Sequence, residues 1–234
     1  MSNPYFRFKQ FTIYHDLCAM KVGTDGVLLG AWADISNAQR ILDVGCGSGL
    51  IALMLAQRSQ VRIDAIDLDE NAYRQTIRNI ELSPFHQQVK AIQGDFLDYH
   101  PNYHYDLIVS NPPFFVDSLK PPDGQRALAR HTDDLPFDRL MEHSSKQLSD
   151  RGRLSLIFPV SEWDVIQSAA ESYGLCLRRK TVVRPIENRP PKRILVEYSK
   201  HKGNVSENEL VIEQAPKIYS EEFIALMEDY YLKI

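Results

Sequence analysis

Apolar and polar positions along this chain predict strands that alternate with helices. Strand patterns lie at 41–44, 61–67, 89–93, 105–110 and 154–159, and the one at 61–67 alternates apolar and polar residues. Helical patterns lie at 50–58, 71–81 and 135–148, and a further one runs to Tyr173. This alternation is typical of an α/β protein built on a mainly parallel sheet.

The two ends of the chain carry shorter patterns. Residues 5–11 alternate aromatic and polar side chains, which favours an edge strand or ordered arm over the alternative of an RNA contact. A closing strand pair is predicted at 175–183 and 194–198, followed by a short strand at 210–213 and a helix at 221–231.

Polar residues that precede several of these helices are candidate caps. Asp69, Ser161 and Ser220 are predicted to accept hydrogen bonds at the helix starts that follow them. Thr24, between two glycines, either caps a helix or presents its hydroxyl to a ligand.

A glycine-rich turn joins the first buried strand to its helix. Asp43 precedes Gly45, Gly47 and Gly49, and Leu50 opens the helix. Glycines let a ligand approach the main chain, and the start of the helix offers unpaired N–H groups. The turn predicts a nucleotide cradle, although its G-x-G-x-G spacing is not that of the dinucleotide fingerprint.

Acids at the next two strand ends extend the predicted site. Asp67 lies about 20 residues beyond the glycines, where a ribose offers its hydroxyls. Asp95 and Phe96 follow the third strand, so Asp95 is predicted to accept from an adenine amino group and Phe96 to pack on the base. The alternative for this pair is a solvated loop.

The tetrapeptide Asn111-Pro112-Pro113-Phe114 follows the fourth strand. Two prolines remove two backbone donors and fix two φ angles, which leaves a rigid loop of carbonyl acceptors and one amide side chain. A planar base with an exocyclic amino group fits this loop, since its two N–H donors meet acceptors while its ring stacks on Phe114.

Composition and charge restrict the partners of the chain. Its 234 residues are 44% hydrophobic and 25% charged, with a net charge of −4, so any nucleic-acid site must be a local basic patch. No apolar run is long enough for a membrane span, the N-terminus shows no signal core, and three scattered cysteines fit neither disulfides nor a zinc site. Candidate RNA-binding residues are Arg126 and Arg130 in a loop at 117–131, and the cluster Arg178, Arg179, Lys180, Arg184, Arg189, Lys192 and Arg193. The alternative for both groups is solvated surface charge, at a hairpin tip in the case of the cluster.

These motifs resemble those of class I S-adenosylmethionine-dependent methyltransferases, and the tetrapeptide resembles the N-P-P-[FY] motif of amino-group methyltransferases. The resemblance implies a Rossmann-like fold with a seven-stranded, mostly parallel sheet and helices on both faces. It implies S-adenosylmethionine as cofactor and Asn111, Pro112, Pro113 and Phe114 as catalytic residues. Together with the strand-end positions, it leads us to expect these cofactor-binding residues: Thr24, Asp43, Gly45, Gly47, Gly49, Asp67, Leu68, Asp95, Phe96 and Asn111.

Longer stretches of the sequence resemble one particular methyltransferase family. Lys21–Trp32, Ser48–Gln57 and Tyr219–Glu221 are similar to the bacterial tRNA(Val) adenosine-37 N6-methyltransferase family, and the likeness covers nearly the whole chain. It implies methyl transfer to N6 of adenosine 37 in the anticodon loop, and we expect a cytoplasmic monomer that needs no metal. We expect a single domain, with an N-terminal arm and helix at 1–35, a Rossmann-like core at 36–200 and a C-terminal extension at 201–234.

Other protein classes use parts of this pattern. Phe114 also suits guanine N2-methyltransferases of ribosomal RNA, and protein glutamine methyltransferases share the tetrapeptide. A dehydrogenase would want the G-x-G-x-x-G spacing and has no use for Asn-Pro-Pro-Phe. A non-catalytic RNA-binding protein would be free to lose Asn111.

Overall fold

The computed structural model describes residues 3–18, 20–113 and 135–234. Its strands are β1 (Tyr5–Arg7), β2 (Thr12–Tyr14), β3 (Arg40–Val44), β4 (Arg62–Asp67), β5 (Val89–Gln93), β6 (Tyr105–Ser110), β7 (Leu148–Pro159), β8 (Cys176–Ile186), β9 (Arg193–Ser199), β10 (Ser206–Ala215) and β11 (Ile218–Tyr219). Its α-helices are α1 (Thr24–Trp32), α2 (Leu50–Gln57), α3 (Glu70–Glu81), α4 (Phe137–Gln147), α5 (Trp163–Ser172) and α6 (Glu221–Met227). None of these helices is long and apolar enough to cross a membrane.

The main sheet has the strand order β11-β10-β8-β9-β7-β6-β3-β4-β5. From β5 to β7 all neighbours are parallel, and β9 runs antiparallel between β7 and β8. This arrangement, with helices on both faces, confirms the predicted Rossmann-like α/β class.

The sheet has nine strands where the family resemblance implied seven. The two additional strands come from the C-terminal segment, because β10 pairs parallel to β8 and β11 turns back antiparallel on β10. We infer from this shared sheet that the extension at 201–234 belongs to the same domain as the core.

Alternate sheet residues supply two apolar layers. Ile41 of β3 packs in a cluster with α1 and α2, and its neighbour Leu42 packs in the opposite cluster with α4 and α5. Every residue from Leu50 to Ala56 is buried. An apolar sequence on all sides of a short helix is typical of a helix buried on all sides, and this burial fixes α2 directly behind the glycine turn.

Two of the four candidate helix caps are confirmed and two are wrong. Asp69 Oδ1 accepts from Asn71 N at 3.0 Å, and Ser220 Oγ accepts from Phe223 N at 3.0 Å. Ser161 is not a cap, because it lies inside a short 3-10 helix, Val160–Glu162, and α5 begins after Glu162. Thr24 is not a cap either, because α1 already begins at Thr24 and Gly23 is the capping position.

Candidate active site

Four parallel strand ends bring the predicted cofactor and catalytic residues to one edge of the sheet. The glycine turn follows β3, Asp67 ends β4, Asp95 follows β5 and Asn111 follows β6. The register places Val44 opposite both Ile66 and Ser110, so these ends are level with one another. The carboxyl edge of an open α/β sheet is where ligands bind.

All three glycines of the turn have positive φ angles: 69° at Gly45, 57° at Gly47 and 76° at Gly49. A Cβ added to Gly45 or Gly47 would meet no atom within 4 Å, whereas one added to Gly49 would lie 3.1 Å from the Thr76 methyl group. Gly45 and Gly47 therefore leave open space beside the main chain, while Gly49 permits close packing of α3. That open space fits the cradle predicted for a nucleoside.

Asp67 fastens this turn to the end of β4. Its Oδ2 accepts from Gly47 N at 2.7 Å and its Oδ1 from Asp69 N at 3.0 Å. Burial raises the pKa of Asp67, and the hydrogen bond from Gly47 acts in the opposite direction. A carboxylate offers about four lone-pair sites, so these two bonds leave acceptors for ribose hydroxyls. Leu68, the next residue, is 57% exposed and offers an apolar surface beside them.

The turn also rests on polar side chains of α3 that sequence reasoning missed. Thr76 Oγ1 donates to Gly47 O at 2.9 Å, and Asn79 Nδ2 donates to Ser48 O at 2.8 Å. Asn79 also exchanges hydrogen bonds with the backbone of Tyr14, which docks the β1–β2 hairpin on the same helix. In the sequence, the only sign of this role is that Gln75, Thr76 and Asn79 are polar residues at helical spacing on α3. The structure shows that all three are buried.

Asp43 lies beneath the turn and is fully buried. Its Oδ2 accepts from Ala52 N at 3.0 Å, which ties β3 to α2, and its Oδ1 has no partner among the described residues. Burial raises the pKa of Asp43 to about 7. Asp43 therefore supports the cradle from below rather than lining its open side.

Asn111 stands where β6 ends, against the start of α1. Its Nδ2 would lie 3.9 Å from a Cβ on Gly26, an ordinary van der Waals distance, so this amide packs against the first turn of α1. The Asn111 Oδ1 atom is buried and accepts no hydrogen bond from any described residue. An unsatisfied buried acceptor is costly unless a ligand donor completes it. Pro112 is buried and Pro113 exposed, while Phe114 lies outside the described residues.

An ion pair holds the start of α1 at this edge. Arg193 Nε lies 2.7 Å from Asp25 Oδ2, which joins the first turn of α1 to the start of β9. Thr24 precedes Asp25 and is exposed. Because Gly23 is the capping residue of α1, the alternative that the Thr24 hydroxyl contacts a ligand stays open.

Asp95 and Phe96 occupy different environments. Asp95 Oδ1 accepts from Leu97 N at 2.8 Å, and Asp95 is partly exposed. Phe96 is only 5% exposed, and its ring packs edge-on against His143 at 5.4 Å. This placement corrects the expectation that Phe96 packs on a base: its ring belongs to the core below the site.

The structure divides the predicted basic cluster instead of bringing it together. Arg193 pairs with Pro159 and Val183, so Arg184, Arg189, Lys192 and Arg193 lie toward the carboxyl edge. Arg179 pairs with Glu197, which places Arg178 and Arg179 toward the opposite, amino edge. Arg126 and Arg130 lie outside the described residues.

Many of these cations already have acidic partners. Arg179 lies 3.7 Å from Glu197 and Lys180 lies 3.6 Å from Glu207, while Arg184 contacts Glu209. On the described part of the carboxyl edge, Arg189 and Lys192 are exposed and make no ion pair. The cluster therefore does not form one continuous patch, and these two residues are its free cations beside the site.

Known proteins resemble this chain in sequence and in structure. The sequence pattern of the methyltransferase small domain family matches residues 22–161. A tRNA1(Val) (adenine(37)-N6)-methyltransferase of Parabacteroides distasonis is 50% identical and one of Trichodesmium erythraeum is 49% identical, each with 100% of both chains covered.

Solved structures share the fold at lower identity. A predicted O-methyltransferase of Agrobacterium tumefaciens superposes with a TM-score of 0.70 at 19% identity, covering 90% of this chain and all of that one. A glycopeptide N-methyltransferase solved with S-adenosyl-L-methionine gives a TM-score of 0.57 at 12% identity, covering 78% and 90%. With full-length relatives at half identity and the strand-end motifs in place, this chain belongs to the tRNA1(Val) (adenine(37)-N6)-methyltransferase family.

Proposed function

We propose that this enzyme transfers the methyl group of S-adenosylmethionine to N6 of adenosine 37 in the anticodon loop of tRNA(Val). The observation that carries the proposal is the buried, unsatisfied Asn111 Oδ1, which stands beside an open glycine cradle. Relatives that bear this activity in their names match the chain over its full length.

The residues around the cradle fit the proposed cofactor. Gly45 and Gly47 leave space for a ligand against the main chain, Asp67 keeps acceptors for ribose hydroxyls, and exposed Leu68 suits the face of an adenine. Thr24 and Asp95 flank this space from the start of α1 and the end of β5. When bound, S-adenosylmethionine supplies an electrophilic methyl group.

The Asn-Pro-Pro loop addresses a specific chemical difficulty. The exocyclic nitrogen of adenine is a poor nucleophile because its lone pair is delocalised into the ring. As this nitrogen gains a methyl group it becomes tetrahedral and positively charged. The Asn111 Oδ1 atom and the Pro112 carbonyl accept hydrogen bonds from its two N–H groups, which favours the transition state over the planar ground state. Loss of one of these protons to solvent after the transfer gives neutral N6-methyladenosine.

The remaining parts of the reaction concern the base and the RNA. Phe114 holds the extruded base in line by stacking on its face. Because the anticodon loop is single-stranded, extrusion of adenosine 37 costs little. Arg189 and Lys192 contact backbone phosphates beside the loop. We further propose that the enzyme is a monomer, acts in the cytoplasm and uses no metal or covalent intermediate.

Incubation with transcribed tRNA(Val) and labelled cofactor, followed by nucleoside mapping, tests this proposal. We expect N6-methyladenosine at position 37, and no label in a transcript with guanosine at that position. N2-methylguanosine as the product would replace the adenine assignment with a guanine one. Label appearing only in protein would identify a protein methyltransferase.

A further inference from the structure

A cavity lies at the amino edge of the sheet, away from the glycine turn. It has a volume of about 410 Å³. Its wall includes Arg153 of β7, which pairs with Leu107 near the start of β6. By strand rise and spacing, Arg153 in this wall lies about 14 Å from Asn111. It is lined by Asp34, Arg151, Arg153, Arg178, Arg179, Glu197, Ser199, His201, Lys202 and Ser206.

The cavity carries excess positive charge in a protein of net charge −4. Its two acids each have a cationic partner, since Asp34 contacts Arg153 and Glu197 lies 3.7 Å from Arg179. Arg151, Arg178 and Lys202 make no ion pair with any residue in the described ranges. These three cations therefore provide local attraction for an anion that the whole chain would repel.

Two guanidinium groups in the wall have unused donors. Arg178 Nη1 and Arg179 Nε are buried and donate to no described acceptor. Arg179 is held in place because its guanidinium lies 3.5 Å from the Trp32 ring centre and donates to Trp32 O at 2.9 Å. Burial lowers the pKa of Arg179, but a guanidinium keeps its charge in proteins. A fixed guanidinium is suited to a phosphate oxygen.

Gly203 leaves the space that the Arg178 guanidinium occupies. A Cβ at this glycine would lie 1.5 Å from Arg178 Nη1, so the guanidinium occupies the volume that any side chain at position 203 would need. Arg151, His201, Lys202 and Ser206 are exposed, and the cavity is open enough on that side for a chain to pass across it.

We propose that this amino-edge cavity binds a backbone phosphate of the substrate RNA outside the anticodon loop. The proposal rests on the proposed tRNA function and extends it. The cavity lies too far from Asn111 for a nucleotide adjacent to the reacting base. Its mouth is cationic and open, which suits a polyanionic strand, and arginine forks supply the phosphate contacts.

The test compares two RNAs: full-length tRNA(Val) and its isolated anticodon stem-loop. The first variant, Arg151→Gln with Lys202→Gln, removes two exposed cations at the mouth. The second, Gly203→Ala, displaces Arg178 while keeping its charge, and only the end of a flexible side chain has to move. The matched control, Arg189→Gln with Lys192→Gln, removes two exposed cations at the carboxyl edge.

We expect the mouth variant to lose affinity for full-length tRNA and to flatten the salt dependence of log K by about 0.7–0.9 per lost contact. Gly203→Ala should weaken binding of full-length tRNA and leave the melting temperature of the protein unchanged. Neither variant should change the affinity for the stem-loop, whereas the carboxyl-edge control should lower the affinity for both RNAs. An unchanged salt slope with full-length tRNA would overturn the proposal, as would equal losses on the two RNAs.

Inorganic phosphate distinguishes a free-anion site from an RNA site. If phosphate binds the parent but not Gly203→Ala, and full-length tRNA binds both equally, the cavity holds a free anion and the proposal fails. Failure of the proposed function is separable, because it would appear as absence of N6-methyladenosine in the parent enzyme, whatever the RNA affinities of the variants.

Discussion

The Asp67 carboxylate accepts a 2.7 Å hydrogen bond from the backbone nitrogen of Gly47. This bond connects the end of β4 to the middle of the glycine turn after β3. The same carboxylate therefore shapes the cradle, and we propose that its remaining acceptors bind the ribose of the cofactor.

Replacing Asp67 with alanine should therefore weaken S-adenosylmethionine binding by about 1.5–3 kcal/mol, the range for hydrogen bonds to a charged group. Asp69→Ala is the matched control, because it removes the α3 cap at a cost of about 1 kcal/mol in stability without touching the cradle. Titration calorimetry measures the cofactor affinity of both variants, and Asp69→Ala should bind as the parent does. Equal cofactor affinity in Asp67→Ala and the parent would refute the ribose role.

Asp43 should make stability depend on pH. Its pKa is about 7 in the folded protein, against about 3.9 for an unfolded aspartate. Between those values the folded state binds the extra proton, so the free energy of unfolding falls as pH rises and levels off above about pH 7. The substitution Asp43→Asn keeps a side-chain acceptor for Ala52 N but removes the titrating group.

The difference in unfolding free energy between the parent and Asp43→Asn should therefore change by up to about 4 kcal/mol between pH 4 and pH 7. Denaturant melts at several pH values measure this difference, and other titrating groups cancel in it. A difference that stays constant across that window would show that Asp43 titrates normally.

Two glycines of α1 should respond differently to alanine. At Gly26 the added Cβ would lie 3.0 Å from Leu50 and 3.9 Å from the Asn111 amide, whereas at Gly30 it would lie 2.8 Å from the Met54 sulfur. Gly26→Ala should lower kcat because the added Cβ presses on Leu50 at the start of α2, directly behind the glycine turn. Gly30→Ala should change the melting temperature alone. Steady-state kinetics and thermal melts of both variants measure these effects. A parental kcat in Gly26→Ala would contradict the prediction.

Sequence reasoning succeeded where local chemistry and strand order agree. Gly45, Gly47, Asp67 and Asn111 each follow a short apolar run, and parallel strands must bring such ends to one edge. The cap at Asp69 needed only its own helix. These features depend on residues close together in the chain.

Long-range contacts account for the failures. Phe96 looked like a stacking residue, but α4 covers its ring with His143, which lies far along the chain. The basic cluster looked continuous because its residues are close in sequence, yet β8 is long enough to carry them toward two edges. Thr76 and Asn79 were missed because their partner is the backbone of the glycine turn.

The most direct test of the account is single-turnover methyl transfer to tRNA(Val) by Asn111→Ala, with tRNA and cofactor affinities measured in parallel. If the Asn111 oxygen acts mainly as the adenine nitrogen becomes tetrahedral, the rate of transfer should fall by about two to three orders of magnitude, as for loss of one preorganised oxyanion donor. Both affinities should change little, because each ligand is held mostly elsewhere. Near-parental transfer, or an equivalent loss confined to binding, would contradict the account.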